Sequence, residues 1–136
     1  MEEYQKPLPE INDENRPFWE ATKQKALKLQ KCSDCGQFRY PAARICPFCH
    51  SMNDEWVAVS GKGRVYTWTV FHQVYHPAFK DDAPYNVAII KLDEGPQLIS
   101  NVIGCELSDI YMDMPVEVVF EKVTEDVTLP KFRPVK

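Results

Sequence analysis

The chain has 136 residues, a formal charge of −4 and a sequence pI of about 5.4. This acidic balance argues against long stretches of nucleic-acid backbone as a partner, because phosphate binding usually leaves a basic footprint. No run approaches the roughly 20 apolar residues of a membrane span, and the first residues lack the basic and apolar regions of a signal peptide. We therefore expect a cytoplasmic protein with no membrane partner, in which paired cysteines indicate metal ligands before disulfides.

The first 26 residues are predicted to form an N-terminal arm followed by a helix. From Pro17 to Ala26 a proline stands in the first turn, and Phe18 and Thr22 lie on one face with a spacing of four residues, which is typical of a helix. Trp19 widens that apolar face. Leu27 and Leu29 then alternate with polar residues and predict a short strand that leads into the first cysteine.

Four cysteines in residues 27–54 define a metal-site motif, with two residues inside each pair and ten between the pairs: Cys32, Cys35, Cys46 and Cys49. Two intervening residues allow both sulfurs of a pair to reach one ion from a tight turn. Because four thiolates leave no open coordination position, we predict one structural zinc ion (Zn2+) per chain. The same ligand set permits iron of rubredoxin type, whereas a redox dithiol would need only one pair. His50 is expected to lie outside the site.

The pattern after the cysteines, over residues 55–136, is that of an all-β domain. Five runs are rich in β-branched or aromatic residues and are separated by turn residues: Trp56–Val59, Arg64–Phe71, Val87–Leu92, Leu98–Ile103 and Val116–Phe120. Five short strands favour a small barrel, for which the OB-fold is the commonest solution and a sandwich the alternative. Gly61-Lys62-Gly63 lacks the following lysine and hydroxyl of a nucleotide loop and indicates a bend.

The sequence offers no clear catalytic machinery. Cys105 follows Gly104 without an evident basic partner, so a small buried apolar role fits it better than an activated nucleophile. No paired carboxylates or phosphate-cradling glycine loop are evident. We therefore predict a protein that is not an enzyme.

An ordered set of segments carries a family resemblance over about residues 16 to 136. The segments are Pro17-Phe18-Trp19-Glu20, Leu29-Gln30-Lys31-Cys32, Cys35-Gly36, Tyr40-Pro41, Cys46-Pro47-Phe48-Cys49, Trp56 through Gly63, Leu92-Asp93-Glu94-Gly95-Pro96, and Met114 through Val118. They resemble the acyl-CoA-associated OB-fold proteins with an N-terminal rubredoxin-like zinc ribbon, first catalogued as domain-of-unknown-function family 35.

The resemblance implies a mainly β protein with a helical arm, a zinc ribbon and a five-stranded OB-fold barrel. It also implies a non-catalytic accessory subunit in acyl-CoA and lipid metabolism, beside a thiolase-like or hydratase-like enzyme. The position before Met114 is often Gly in the family and is Asp113 here. Since Asp tolerates left-handed geometry, we expect the turn to survive.

Binding of acyl-CoA or CoA would require basic groups for phosphates, an aromatic ring for the base and a narrow apolar channel. The candidates are Lys62, Arg64, Tyr66, Trp68, Phe71 and Lys80. Tyr66 and Trp68 have the same parity and are predicted to share a strand face. The alternative is that the aromatic residues fill the barrel.

Partner docking has its own candidates, which are Phe18, Trp19, Arg39, Tyr40 and Arg44. Large aromatic residues often anchor interfaces, although a structural clamp on the ribbon is the other interpretation of the helix. A rival function is a nucleic-acid-binding module, since zinc ribbons and OB-folds commonly bind nucleic acids. The acidic net charge counts against it, and a weaker alternative gives Cys105 or His72 a catalytic role.

Overall fold

The structure is a computed structural model that describes residues 8–72 and 84–135. The chain order of its elements is α1 (Arg16–Lys23), β1 (Lys28–Cys32), β2 (Phe38–Arg39), β3 (Asp54–Ala58), β4 (Lys62–Phe71), β5 (Tyr85–Leu92), β6 (Gln97–Ser100), a 3-10 helix (Leu107–Asp109), β7 (Pro115–Lys122) and β8 (Thr128–Pro134). Among these described residues, no helix is long and apolar enough to cross a membrane.

Helix α1 forms where it is predicted but ends three residues earlier, at Lys23. Lys25 has a left-handed backbone with φ of 59°, and the Ala26 N–H donates to the Ala21 carbonyl at 2.9 Å. This geometry closes the helix and turns the chain toward β1. Phe18 and Thr22 are buried on the predicted inner face.

The ribbon contains a three-stranded antiparallel sheet in the order β2-β1-β3. The strand predicted before Cys32 is confirmed as β1. The predicted strand at Trp56–Val59 is confirmed as part of β3, but its assignment to the barrel is wrong. It pairs with β1 instead, with Leu29 opposite Val57.

The predicted five-stranded OB-fold barrel is confirmed by a curled antiparallel sheet in the order β6-β5-β4-β7-β8. Strands β4, β5, β6 and β7 overlap the predicted runs, although β6 ends at Ser100, before the predicted end at Ile103. The fifth strand is β8, which the sequence pattern did not indicate. Pro130 and Pro134 disfavour a strand, but β8 lies at the end of the sheet, where prolines are tolerated.

The barrel closes where the segment after β6 meets β8. Val102 forms a parallel bridge with Phe132, and the Ile103 N–H donates to the Phe132 carbonyl at 2.7 Å. The Asn86 side chain reinforces this closure, because its Nδ2 donates to the Val102 carbonyl and its Oδ1 accepts from the Val102 N–H, both at 2.8 Å. The buried side-chain amide of Asn86 thus makes the two hydrogen bonds to Val102 that a backbone partner would make in a regular strand pair.

One hydrophobic core joins the ribbon and the barrel. Phe18 from α1 and Leu29 from β1 belong to the same buried cluster as Val65, Ile90 and Phe132 of the barrel. The bend between β3 and β4 lies at Gly61, which has φ of 76°, as the sequence predicts.

Candidate metal centre and binding surfaces

The four predicted cysteine ligands converge on one point. Their sulfur atoms all lie within 4.8 Å of one another, with Cys32 Sγ 3.5 Å from Cys49 Sγ and Cys35 Sγ 3.6 Å from Cys46 Sγ. A tetrahedral zinc with Zn–S bonds of about 2.3 Å places its sulfurs about 3.8 Å apart. The observed spacing fits a zinc ion bound by all four cysteines. Cys32 and Cys46 are buried, whereas Cys35 and Cys49 are exposed.

The two cysteine turns share one backbone design. In the first turn, the Gly36 N–H donates to the Cys32 carbonyl at 3.0 Å; in the second, the His50 N–H donates to the Cys46 carbonyl at 2.9 Å. Both residues have left-handed backbones, with φ of 78° at Gly36 and 64° at His50. His50 therefore occupies the position equivalent to a turn glycine. It is exposed, as expected for a residue outside the metal site.

Hydrogen bonds and crowding push the thiol pKa values apart. The Cys35 N–H lies 3.4 Å from Cys32 Sγ and is the main cause that lowers the pKa of Cys32 to about 6. The Ser51 N–H favours the Cys49 thiolate, but the Cys32 thiol and burial outweigh it and raise the pKa of Cys49 to about 12. A bound divalent cation would stabilise every thiolate in this crowded set.

The first three acyl-CoA candidates, Lys62, Arg64 and Tyr66, have exposed side chains along β4. Arg64 lies directly opposite Lys91 of β5 in the strand register. Arg64, Tyr66 and Lys91 line a pocket of about 410 Å³, together with Leu92 and the carboxylates Asp93 and Asp113. Lys91 was missed by the sequence interpretation, because cross-strand pairing decides which lysine meets Arg64.

The other acyl-CoA candidates have different positions. A β-bulge between Val65 and Thr67 shifts the register of β4, so the prediction that Tyr66 and Trp68 share a face is wrong. Tyr66 is 54% exposed, whereas Trp68 packs against the core. The Phe71 ring stacks on Tyr85 with a centroid distance of 5.4 Å. Lys80 lies outside the described residues.

Two of the partner-docking candidates are buried in the protein's own interior. Phe18 belongs to the core, and Arg39 is 5% exposed, with its Nη2 2.9 Å from Asp54 Oδ2 and 2.8 Å from the Ala43 carbonyl. These contacts give both side chains structural roles, so we remove both from the docking surface. The sequence pattern did not reveal that Asp54, 15 residues further along the chain, lies beside Arg39 in the buried pair.

The remaining docking candidates stay accessible. Trp19 and Tyr40 are half-buried, and Arg44 is exposed in an ion pair of 2.9 Å with Glu14. The second cysteine turn adds three exposed apolar side chains that the sequence did not single out, because a zinc turn is too small to bury them: Ile45, Phe48 and Met52.

The fold and the metal site define the class as a four-cysteine, rubredoxin-like zinc ribbon joined to an OB-fold barrel. Residues 19–55 match the rubredoxin-like zinc ribbon domain of ChsH2, and residues 56–121 match the C-terminal OB-fold domain of ChsH2. A DUF35 domain-containing scaffold protein of Methanocaldococcus jannaschii is 40% identical over 97 residues, which cover 71% of this chain and 68% of that protein. The chain belongs to the DUF35 family, and the predicted resemblance is confirmed.

Two further comparisons concern larger assemblies. A solved structure described as "Ltp2-ChsH2(DUF35) aldolase" superposes with a TM-score of 0.84 and 38% identity, and the match covers 93% of this chain and 98% of that chain. A probable enoyl-CoA hydratase alpha subunit of Thermomonospora curvata is 39% identical over 129 residues. The match covers 95% of this chain but only 40% of that protein. Our chain therefore corresponds to less than half of this longer relative.

Proposed function

We propose that the protein is a non-catalytic scaffold subunit that positions an acyl-CoA for a hydratase-like or thiolase-like partner enzyme. The names of the relatives support the partner class, since one is a hydratase alpha subunit and another is part of an aldolase assembly. The observation that supports an acyl-CoA ligand is the cross-strand pair of Arg64 and Lys91 beside exposed Tyr66.

Two like charges directly opposite each other destabilise a sheet, so this pair suits an anionic ligand that lies between them. The part of the chain that the structure describes shows no ion pair for either Arg64 or Lys91. Phosphates of CoA would supply direct partners for both groups, and Tyr66 offers an exposed ring for the adenine. Asp93 and Asp113 at the same pocket limit how much negative charge it accepts.

Cys105, the cysteine outside the metal site, supports a scaffold role rather than a catalytic one. Burial, followed by the charges of Asp109 and Glu106, raises the pKa of Cys105. A nucleophilic cysteine needs the opposite shift, which a basic neighbour or a helix N-terminus would provide. We therefore assign the chemistry to the partner enzyme.

The zinc ribbon gives the scaffold a partner-facing surface. Phe48 is 62% and Met52 is 69% exposed on or beside the second cysteine turn, and exposed apolar groups of this size mark interaction sites when they are adjacent. Arg44 adds a charged group to this surface, because it lines one pocket together with Met52, and Trp19 stays a separate docking candidate. In this arrangement the metal holds docking side chains in place and takes no part in the reaction.

The test begins with a pull-down from native cells that identifies the partner enzyme and any bound CoA ester. CoA binding to the reconstituted complex is then measured by calorimetry for the native chain, the double variant R64E/K91E and the control K122E on β7. Loss of two charge-assisted contacts should weaken binding by at least about tenfold, whereas K122E should match the native protein. Equal affinity in R64E/K91E would refute the assigned site.

The isolated chain provides the second arm of the test. Because the proposal places the acyl-CoA at an interface with the enzyme, the chain alone should bind CoA weakly, and tight stoichiometric binding by the monomer would contradict that version. Salt-dependent retention of the native chain on single-stranded DNA or RNA, lost in R64E/K91E, would instead favour the nucleic-acid-binding function.

A further inference from the structure

A second pocket, distinct from the one at Arg64, lies between helix α1 and the ribbon sheet. It has a volume of about 260 Å³. Aromatic side chains from α1, from β3 and from the turn after β2 line it: Phe18, Trp19, Tyr40 and Trp56. Trp19, Tyr40 and Trp56 are only half-buried by the chain itself. Parts of these rings are therefore open to a ligand.

The ring contacts in this pocket are edge-on or tilted rather than stacked. The Phe18 and Trp19 planes meet at 88° with 4.9 Å between their centroids, and the Phe18 and Tyr40 planes meet at 48° with 5.4 Å between centroids. An edge-on contact covers one face of one ring and leaves the other faces free of ring contacts. Since ring faces carry partial negative charge, they attract a cation that lies within about 6 Å.

The charged residues in the pocket wall also favour a cation. Arg39 is neutralised, because its Nη2 lies 2.9 Å from Asp54 Oδ2 and its side chain is only 4% exposed. Glu10 is the one acidic residue in the wall, and it has no ion pair within residues 8–72 and 84–135. The pocket therefore combines four aromatic rings with a carboxylate that is free to balance a positive charge.

The wall offers few acceptors for the N–H groups of a ligand. The Asn15 amide is already used within the arm, since its Nδ2 donates to the Glu10 carbonyl at 2.9 Å and its Oδ1 accepts from the Asn12 N–H at 2.8 Å. A primary ammonium has three donors, and burial without partners would cost it hydrogen bonds to water. A fully methylated ammonium has no N–H, and its methyl groups suit the apolar remainder of the wall, which is Pro9, Leu29, Pro41 and Ala42.

We propose that this pocket binds a trimethylammonium group, with its methyl groups against the rings of Trp19, Tyr40 and Trp56 and its charge balanced by Glu10. Aromatic cages are a common protein solution for binding quaternary ammonium ions. The group can belong to a free small molecule or to a trimethylated lysine, since both present the same chemistry to the pocket. The site is separate from the proposed acyl-CoA pocket, so the two stand or fall independently.

The test uses a matched set of small probes on the full zinc-bound chain at constant ionic strength. Choline has the trimethylammonium group, its tert-butyl analogue has the same shape without the charge, and ethanolamine has the charge without the methyl groups. Binding is followed through the indole N–H resonances of Trp19 and Trp56, with Trp68 in the barrel as the internal reference. Choline should give saturable shifts at both pocket tryptophans and bind at least about fivefold more tightly than either analogue, as expected for a desolvated cation–π contact.

Two variants locate the charge effect. E10Q removes the carboxylate and should weaken choline binding by at least about threefold, while binding of the tert-butyl analogue stays the same. The control is E55Q, the same change at an exposed position of β3 on the strand face opposite to Trp56, which should match the native chain. Both replaced side chains are exposed, so neither change is expected to disturb the fold.

A third probe distinguishes the sources of the group. Tighter binding of an N-acetylated, C-amidated trimethyllysine than of choline would identify a modified protein as the source, and the reverse order would identify a small molecule.

Three results would overturn the proposal. One is the absence of saturable shifts with choline at millimolar concentrations. Another is equal affinity for the tert-butyl analogue or for ethanolamine, which would show that the rings do not select a methylated cation. The last is equal affinity of E10Q and the native chain for choline, which would show that Glu10 does not balance the charge.

Discussion

The closure of the barrel depends on one buried amide, and replacing it provides a sharp test of the fold. Asn86 is 7% and Val102 is 3% exposed, and the two residues share two hydrogen bonds of 2.8 Å. N86L would leave both backbone groups of Val102 buried without these bonds. At about 1–3 kcal/mol for each of the two unsatisfied groups, we expect the free energy of unfolding to fall by about 2–6 kcal/mol.

The assay is urea denaturation at a fixed zinc concentration, with the free energy obtained by linear extrapolation. The control is Gln97→Leu, an equivalent polar-to-apolar change at an exposed position on β6, which should change stability by no more than about 0.5 kcal/mol. A loss below about 1 kcal/mol for N86L would refute the assigned role.

The conservative variant N86D adds a pH test of the same contact. Its carboxyl group would be buried and would face the Val102 carbonyl, so its pKa in the folded protein should exceed that in the unfolded chain. A raised folded-state pKa contributes stability at low pH that is lost as the pH rises through that pKa. The stability difference between N86D and the native protein should therefore shrink as the pH falls, and a difference independent of pH would contradict this geometry.

Three further predictions concern the cysteine site and the start of β4. Gly36→Ala should lower the free energy of unfolding by about 1–2 kcal/mol, because Gly36 has a left-handed backbone. His50→Gly should leave the free energy of unfolding unchanged or raise it by about 0.5 kcal/mol. Urea denaturation with zinc present measures both variants, and a greater loss for His50→Gly than for Gly36→Ala would contradict the equivalence of the two turns. Gly63→Ala should lower the free energy of unfolding by about 1–3 kcal/mol in the same assay, because a Cβ there would collide with the Lys91 carbonyl. An unchanged urea midpoint would contradict this close contact. Zinc binding near neutral pH should release at least two protons, because the pKa values of Cys35 and Cys49 are both raised above 9.0; the dependence of the calorimetric enthalpy on buffer ionisation measures this number, and release of none would exclude thiolate coordination.

The features predicted well from sequence are local ones. Cysteine spacing fixes which thiols can share an ion, since two residues between a pair already determine a tight turn. The expected survival of the turn at Asp113 is confirmed by its left-handed φ of 64°. In both cases the geometry is decided by a few adjacent residues.

The features that sequence missed depend on partners far along the chain. Strand β3 has a pattern that suits either sheet, and only its pairing with β1 assigns it to the ribbon. The bulge in β4 arises from its alignment with β5 and reverses the parity of Trp68. Burial of Arg39 requires Asp54 to lie beside it, and a linear pattern of charges does not encode that meeting.

The short connection between ribbon and barrel bears on how this protein can change through evolution. Only residues 59–61 separate β3 from β4, and Phe18, Leu27 and Leu29 complete the apolar interior that the barrel strands surround. A recombination breakpoint in that connection would strip each half of its apolar neighbours and leave two fragments with exposed cores. Gene fusions that carry this chain into longer proteins are therefore expected to join at its outer ends, with the metal ribbon and the barrel inherited as one unit.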